Sequence, residues 1–82
     1  MRHITFSPRG VCAQQIDFDI DDENKIHNVS FIGGCNGNLK AIGILTEGMD
    51  ASDVVSKLQG NICGFKNTSC ADQLACAISR NL

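Results

Sequence analysis

The chain has 82 residues, enough for one domain whose small core would gain from a metal, disulfides or a partner subunit. Hydrophobic residues make up 43%, as in folded soluble domains, and a net charge of −2 without any basic run argues against nucleic-acid binding. Residues 1–6 lack the apolar core of a signal peptide and no segment reaches the length of a membrane span, so we expect a single cytoplasmic domain over residues 1–82.

Cysteine is the residue type that stands out in the composition. The chain has five cysteines, an odd number, and they do not form the CxxC pairs of a zinc ribbon. A secreted disulfide scaffold usually has an even set, whereas cysteines in a reducing compartment more often bind metal or carry out thiol chemistry. Because they are spread along the chain, only the fold can bring them together: Cys12, Cys35, Cys63, Cys70 and Cys76.

Three strands are predicted before the first helix. Residues 2–6 alternate in polarity and form a short edge candidate, and residues 12–20 alternate more clearly, with apolar side chains on one side and acids on the other. The acidic row is most simply a solvated strand face, because it lacks the spacing and loop glycine of an EF-hand. Residues 21–25 form a hairpin turn, and residues 26–32 return with Val29 and Phe31 on the core side.

The hairpin brings two cysteines together in this prediction. For a turn centred near residue 23, the numbers of facing residues add to about 46 or 47. Cys12 and Cys35 meet this condition, so we expect them side by side at the open end of the hairpin.

A glycine-rich corner then leads into the first helix. Residues 33–38 read Gly-Gly-Cys-Asn-Gly-Asn, which tolerate positive φ and can leave backbone N–H groups free for an anion or a sulfur, although a plain tight turn is an equal alternative. Asn38 is the predicted N-cap of a helix that runs to Glu47. Gly43 within it implies close packing against another backbone, and its predicted buried stripe is Leu39, Ile42 and Leu45.

The second helix carries no evident chemistry. Asp50 is its predicted N-cap, with Asp53 at the spacing of a capping box, and Gly60 ends it. Its core face has helical spacing and consists of Ala51, Val54, Val55 and Leu58.

The third helix is predicted to begin beside a cysteine. Ser69 can cap it, Asp72 lies at the capping-box position, and Cys70 falls in the first turn, where unpaired N–H groups and a partial positive charge suit an anionic sulfur. Cys63 lies in a short connector that can fold back on this helix start. The predicted core face of the helix is Ala71, Leu74, Ala75, Ile78 and Leu82.

The remaining cysteine and the two histidines are left out of the site. On a helical wheel Cys76 lies about 120° from Cys70, so it is interpreted as a packing residue or as incidental. His3 and His27 are interpreted as surface or core-edge residues, because the sequence places neither near the open end of the hairpin.

The four other cysteines allow two kinds of chemistry. Four thiolates suit structural zinc, and three with a replaceable fourth ligand suit a labile zinc or an iron–sulfur cluster. A dithiol that cycles between reduced and disulfide states is the alternative, with either Cys12 and Cys35 or Cys63 and Cys70 as the pair. Catalysis by a nucleophilic cysteine is less supported, since no histidine base is placed within reach.

The motif Thr68-Ser69-Cys70-Ala71-Asp72 resembles the one that names the TSCPD domain, with Ala71 where the name has proline. Together with Cys12, Gly33-Gly34-Cys35 and Cys63, it resembles the small stand-alone four-cysteine branch of that family over essentially the whole chain. The family also supplies a C-terminal domain in some ribonucleoside-diphosphate reductases. The resemblance implies a link to that enzyme, but not its activity, because 82 residues cannot house the reductase.

The order of elements also resembles, more distantly, the NifU-type iron–sulfur scaffold fold, matching Cys12, Cys35 and Cys70. Gln14 and Ser69 depart from that family, which has Asp and His at these positions. The predicted fold is therefore α+β and NifU/SufE-like: a small antiparallel sheet of a hairpin and a short edge strand, with about three helices on one face.

The sequence as a whole predicts a metal-binding domain that is not an independent enzyme. Zinc is favoured over an iron–sulfur cluster, and the predicted ligands are Cys12, Cys35, Cys63 and Cys70. The alternative is a thiol-redox accessory domain related to the reductase C-terminal domain. A reductase-like protein or a metal or cluster acceptor is the expected kind of partner, a homodimer is open, and neither nucleic acid nor membrane is expected.

Overall fold

The computed structural model describes residues 1–11, 13–34, 36–61 and 68–82. In these ranges three strands precede three helices, and the strands form one antiparallel sheet in the order β1-β2-β3. The predicted α+β class is confirmed, whereas the likeness to the NifU/SufE fold stays a prediction. The elements are β1 (Arg2–Phe6), β2 (Ala13–Ile20), β3 (Ile26–Gly33), α1 (Asn36–Thr46), α2 (Ala51–Leu58) and α3 (Cys70–Ser79).

The core lies on one face of the sheet, as the alternation in β2 predicts. Side chains of α2 and α3 cover this face, and removal of its apolar surface from water is the main source of stability in so small a domain. Val29 and Phe31 of β3 are partly buried against it, as predicted. The fully buried members are Ile16, Phe18, Ile20, Ile26, Ala51, Val54, Leu74, Ala77 and Ile78.

The strand pairing follows the predicted hairpin, with two irregularities. The described pairs run from Ile20 opposite Ile26 to Ala13 opposite Gly33, with shifts in register between Asp17 and Asp19 and between Ala13 and Gln15. The shift at the beginning of β2 reverses the alternation, so that Ala13 is buried and Gln14 is exposed. Gln14 has the same parity as Ile16 and Phe18, which predicts a place on the core face, and this prediction was wrong.

The corner between β3 and α1 is formed by two glycines. Gly33 and Gly34 have φ values of +80° and +84°, a region that favours glycine, and they complete the change of direction. The helix consequently begins at Asn36, two residues before the predicted N-cap Asn38.

Gly43 sets how α1 packs on the sheet. A Cβ built on Gly43 would lie 2.7 Å from the carbonyl oxygen of Val29, which confirms the predicted close approach of two backbones. The helix thereby turns Leu39 and Thr46 inward, and both are buried. Leu45 is 73% exposed, so its assignment to the buried stripe was wrong; it lies about 100° around the helix from Thr46.

The segment between α1 and α2 runs along the edge of β3. Ile26 donates its N–H to the carbonyl of Met49, and Ala51 donates to the carbonyl of Asn24. The hairpin backbone thus satisfies one N-terminal N–H group of α2, while the side chain of Asp50 makes no capping hydrogen bond. The predicted position of the N-cap is thus confirmed, but the side-chain role assigned to Asp50 was wrong.

The third helix crosses from the site region to β1. Its C-terminal end is held by Arg80, whose guanidinium lies 5.4 Å from the centre of the Phe6 ring, and by Arg2, which donates to the carbonyl of Asn81. Leu82 lies beyond the helix and is 59% exposed, so its predicted burial was wrong. None of the helices in the described ranges is long and apolar enough to cross a membrane.

Candidate functional site

The start of α3 is built as its sequence predicts. Ser69 is the N-cap in an extended conformation, and its Oγ accepts a hydrogen bond of 3.0 Å from the N–H of Asp72. The same hydroxyl donates to the carbonyl of Asn61, which lies three residues after the end of α2. Cys70 follows as the first residue of the helix.

Asp72 holds both ends of the connector between α2 and α3. One carboxylate oxygen accepts from the N–H of Gly60 at 2.7 Å, and the other accepts from the Thr68 hydroxyl at 2.5 Å. These two hydrogen bonds, that from Thr68 first, lower the pKa of Asp72 below its ordinary value and keep it ionised. The negative charge also lies in the first turn of α3, where it is favourable.

Gln73 joins the same place to the turn before β2. Its side-chain amide donates to Thr68 at 3.1 Å, and its carbonyl oxygen accepts from the N–H of Arg9 at 3.2 Å. A Cβ on Gly10 would lie 3.4 Å from the methyl group of Thr68, so the two segments are in van der Waals contact. We call this cluster the α3 junction; it comprises Arg9, Gly10, Gly60, Asn61, Thr68, Ser69, Asp72 and Gln73.

Only one of the four predicted ligands falls within the described residues. Cys12, Cys35 and Cys63 lie outside the described ranges, so their predicted places and the pairing of Cys12 with Cys35 remain predictions. Cys70 is a free, half-buried thiol beside the α3 junction. Cys76 is also free and half-buried, and it lies six residues farther along the helix.

Described residues next to two of those cysteines lie against each other. Ala13 pairs with Gly33 across the hairpin. A Cβ on Gly34 would lie 3.3 Å from the backbone nitrogen of Ala13 and 2.8 Å from a methyl carbon of Leu39, and the φ of +84° itself favours glycine at this position. The open end of the hairpin is therefore tightly packed between β2, β3 and α1.

The histidines belong to a polar network on the opposite face and edge of the sheet. His3 Nδ1 lies 2.7 Å from a carboxylate oxygen of Asp19, while His27 lies 2.7 Å from Asp21 and 2.5 Å from Glu47. Hydrogen bonding to these carboxylates, Asp19 for His3 and Asp21 for His27, raises the pKa of both histidines. The network matches the predicted solvated face, and within the described part of the chain no group of three or more His, Cys, Asp or Glu residues could hold a metal.

The links made by Gln73 and Asp72 were missed by the sequence reasoning. Asp72 was recognised only as a helix-capping residue, and nothing in the spacing connects Gln73 with Arg9, because the two residues are 64 positions apart. The recognisable signal was the density of hydrogen-bonding side chains around Cys70: Thr68, Ser69, Asp72 and Gln73.

Comparison with protein families finds one described as the TSCPD domain, whose model matches residues 1–82, the whole chain. The motif residues of the α3 junction thus lie within the matched region. Comparisons with curated proteins and with solved structures produced no match.

Proposed function

This chain belongs to the TSCPD domain family, and from that premise we propose that it is a small metal-binding domain of a reducing compartment such as the cytoplasm. Its ligands are the thiolates of Cys12, Cys35, Cys63 and Cys70, and zinc is preferred over an iron–sulfur cluster. Zinc would be held without an open position and would add folding stability rather than chemistry, which fits a domain that is not an enzyme on its own.

The α3 junction is the observation that carries this proposal. Arg9 lies three residues before Cys12, Asn61 lies two before Cys63, and Thr68 lies two before Cys70. Described hydrogen bonds join these three segments around the first turn of α3. Since the chain spans at most about 3.6 Å per residue, segments tied so close to each cysteine restrict how far the thiols can separate.

The packing at the open end of the hairpin supports Cys35 as the fourth ligand. Cys12 adjoins Ala13 and Cys35 adjoins Gly34, and Ala13 and Gly34 are in contact. A tightly packed open end of the hairpin is suited to hold two ligands in place before metal binds. This lowers the conformational entropy that is lost on binding.

Metal analysis of protein purified without oxygen tests the proposal. We expect close to one equivalent of zinc per chain, and we expect replacement of each proposed ligand by serine to reduce zinc affinity by about tenfold or more. Cys76→Ser is the matched control and should retain full zinc. Protein in which the four proposed ligand thiols all titrate, with less than about a tenth of an equivalent of zinc or iron, would contradict metal binding.

A thiol-redox accessory role is the second candidate, and the half-buried free thiol of Cys70 is the observation that favours it. In that role two of the four cysteines would cycle between a dithiol, which reduces a disulfide of a reductase-like protein partner and is itself oxidised, and a disulfide, which a dithiol of such a partner reduces. Thiol counts before and after oxidation distinguish the two functions. Loss of two titratable thiols on oxidation of wild-type protein, but not of Cys70→Ser, supports redox exchange. A thiol count of the oxidised protein that Cys→Ser changes leave unaltered argues against it.

A further inference from the structure

A groove of about 500 Å³ separates β3 from α1. Val29 and Phe31 line it on the strand side, and Leu39 and Ile44 line it on the helix side. β3 is an edge strand, and its beginning is already covered, because Ile26 bonds to Met49. The groove therefore lies farther along this edge strand, between it and α1.

Large apolar side chains of α1 protrude at the groove. Ile44 lines it and is 68% exposed, and the next residue of the helix, Leu45, is 73% exposed. In a domain with so small a core, adjacent exposed apolar side chains of this size mark a surface that favours burial in an interface. The same surface thus combines protruding apolar groups with an unfilled apolar groove.

The charges at the two ends of this surface have opposite signs. Lys40 of α1 and Glu47, the residue just after α1, both line the groove, with Ile44 between them in sequence. They are separated by about 10 Å at the rise of an α-helix, and the Gly43–Ile44 step lies midway between them in sequence. The stripe is therefore positive at one end, negative at the other and apolar at its centre.

We propose that a second copy of this chain occupies the groove, in an antiparallel dimer whose two-fold axis passes near Gly43 and Ile44. Rotation about this axis sets Lys40 of each copy beside Glu47 of the other, and sets each Ile44 against the partner's groove. A two-fold interface must be complementary to itself, and a stripe with this order of charges meets the condition. A parallel arrangement would instead place like charges together.

Glu47 can serve this contact while keeping its intramolecular role. Its carboxylate accepts from the N–H of Asn28 at 2.9 Å and lies against His27, yet its side chain is 49% exposed. Each carboxylate oxygen can accept a second hydrogen bond, so the Lys40 ammonium of the partner finds free acceptor capacity.

Sedimentation velocity over a concentration series, in excess reductant to exclude intermolecular disulfides, tests the dimer. We expect a reversible monomer–dimer equilibrium in wild-type protein. Lys40→Glu, Glu47→Lys and Ile44→Gln should each weaken it by about tenfold or more, because they introduce like charges or remove the apolar centre. Lys57→Glu makes the same charge change at an exposed position of α2 and should leave it unaltered.

A mixture of two variants makes the test specific. Combining Lys40→Glu with Glu47→Lys should restore association, because in the mixed dimer both ends again bring opposite charges together. Circular dichroism of each variant checks folding, and Ile44→Gln at a 68% exposed position keeps the test valid if Glu47→Lys unfolds. Protein that is monomeric at every concentration would overturn the proposal, and so would a dimer whose association neither Lys40→Glu nor Ile44→Gln weakens. A monomer whose groove binds a different protein would also overturn it.

Discussion

Single residues decide how closely the elements of this domain approach one another. Gly43 has no room for a side chain, because a Cβ there would lie 2.7 Å from the carbonyl oxygen of Val29. The resulting orientation of α1 buries Thr46 and exposes Leu45. Asp72 works by hydrogen bonding, since its carboxylate joins Gly60 to Thr68 across the connector. Neither role can be read from hydrophobic periodicity, which records burial alone.

Alanine at two positions of the same helix should therefore have opposite effects. Gly43→Ala places a methyl group 2.7 Å from Val29 oxygen, and we expect it to lower the free energy of unfolding by about 1–3 kcal/mol. Gly37→Ala meets nothing within 4 Å and should raise it by up to about 1 kcal/mol through helix propensity. Urea unfolding measures both, and equal effects of the two changes would show that packing at Gly43 is not the cause.

At the scale of elements, α1 is held to the hairpin by charge as well as by packing. His27 of β3 lies between Asp21, at the end of β2, and Glu47, just beyond α1, and both of its ring nitrogens can donate only in the protonated form. Glu47 in turn accepts from the N–H of Asn28, a residue with φ of +56°. The ion pairs thus join three parts of the chain at one imidazole.

This arrangement predicts a dependence of stability on pH. Hydrogen bonds to Asp21 and then Glu47 raise the pKa of His27 above 6.5, so its contribution is complete below pH 6.5 and is lost as pH rises through the raised value. The pKa of Asp21 is lowered from 3.8, mainly by His27, and that of Glu47 from 4.5, mainly by the N–H of Asn28. Their contributions are therefore present above those values and are lost at lower pH.

The urea midpoint should consequently be highest between about pH 4.5 and 6.5 and should fall from about pH 6.5 to pH 8 in reductant. His27→Gln should remove most of that fall. His3→Gln is the control, because His3 is 62% exposed and should change the pH dependence less. A fall of equal size in wild-type and His27→Gln would exclude this histidine as the cause.

For the whole molecule, stability depends on one small core between the sheet and two helices. Its largest fully buried side chains are Phe18, Ile16, Ile20, Ile26, Leu74, Ile78 and Val54, a modest set for an 82-residue domain. The segments of the α3 junction are joined mainly by hydrogen bonds, beside this core rather than within it. The proposed metal would therefore add stability next to the core, at the place where these hydrogen bonds hold the chain.

Removal of metal should accordingly destabilise the fold. We expect a zinc chelator under reducing conditions to lower the thermal midpoint, and we expect added zinc to restore it in proportion to occupancy. Leu74→Ala, a core change that costs about 2–5 kcal/mol, should lower the midpoint whether or not chelator is present. A chelator that leaves the midpoint of wild-type protein unchanged would contradict a stabilising metal.

The sequence by itself determined the class of fold, the order of the elements, the existence of the β2–β3 hairpin and the cap at Ser69, because these follow from local spacing. It also determined the family, since the motif at Thr68–Asp72 and the spacing of the cysteines are properties of the chain alone. Only the tertiary structure decided the register shift that exposes Gln14, the inward face of α1, and the links from Gln73 to Arg9 and from His27 to Glu47. Each depends on two segments far apart in the chain, and their contact is set by packing that no local pattern records.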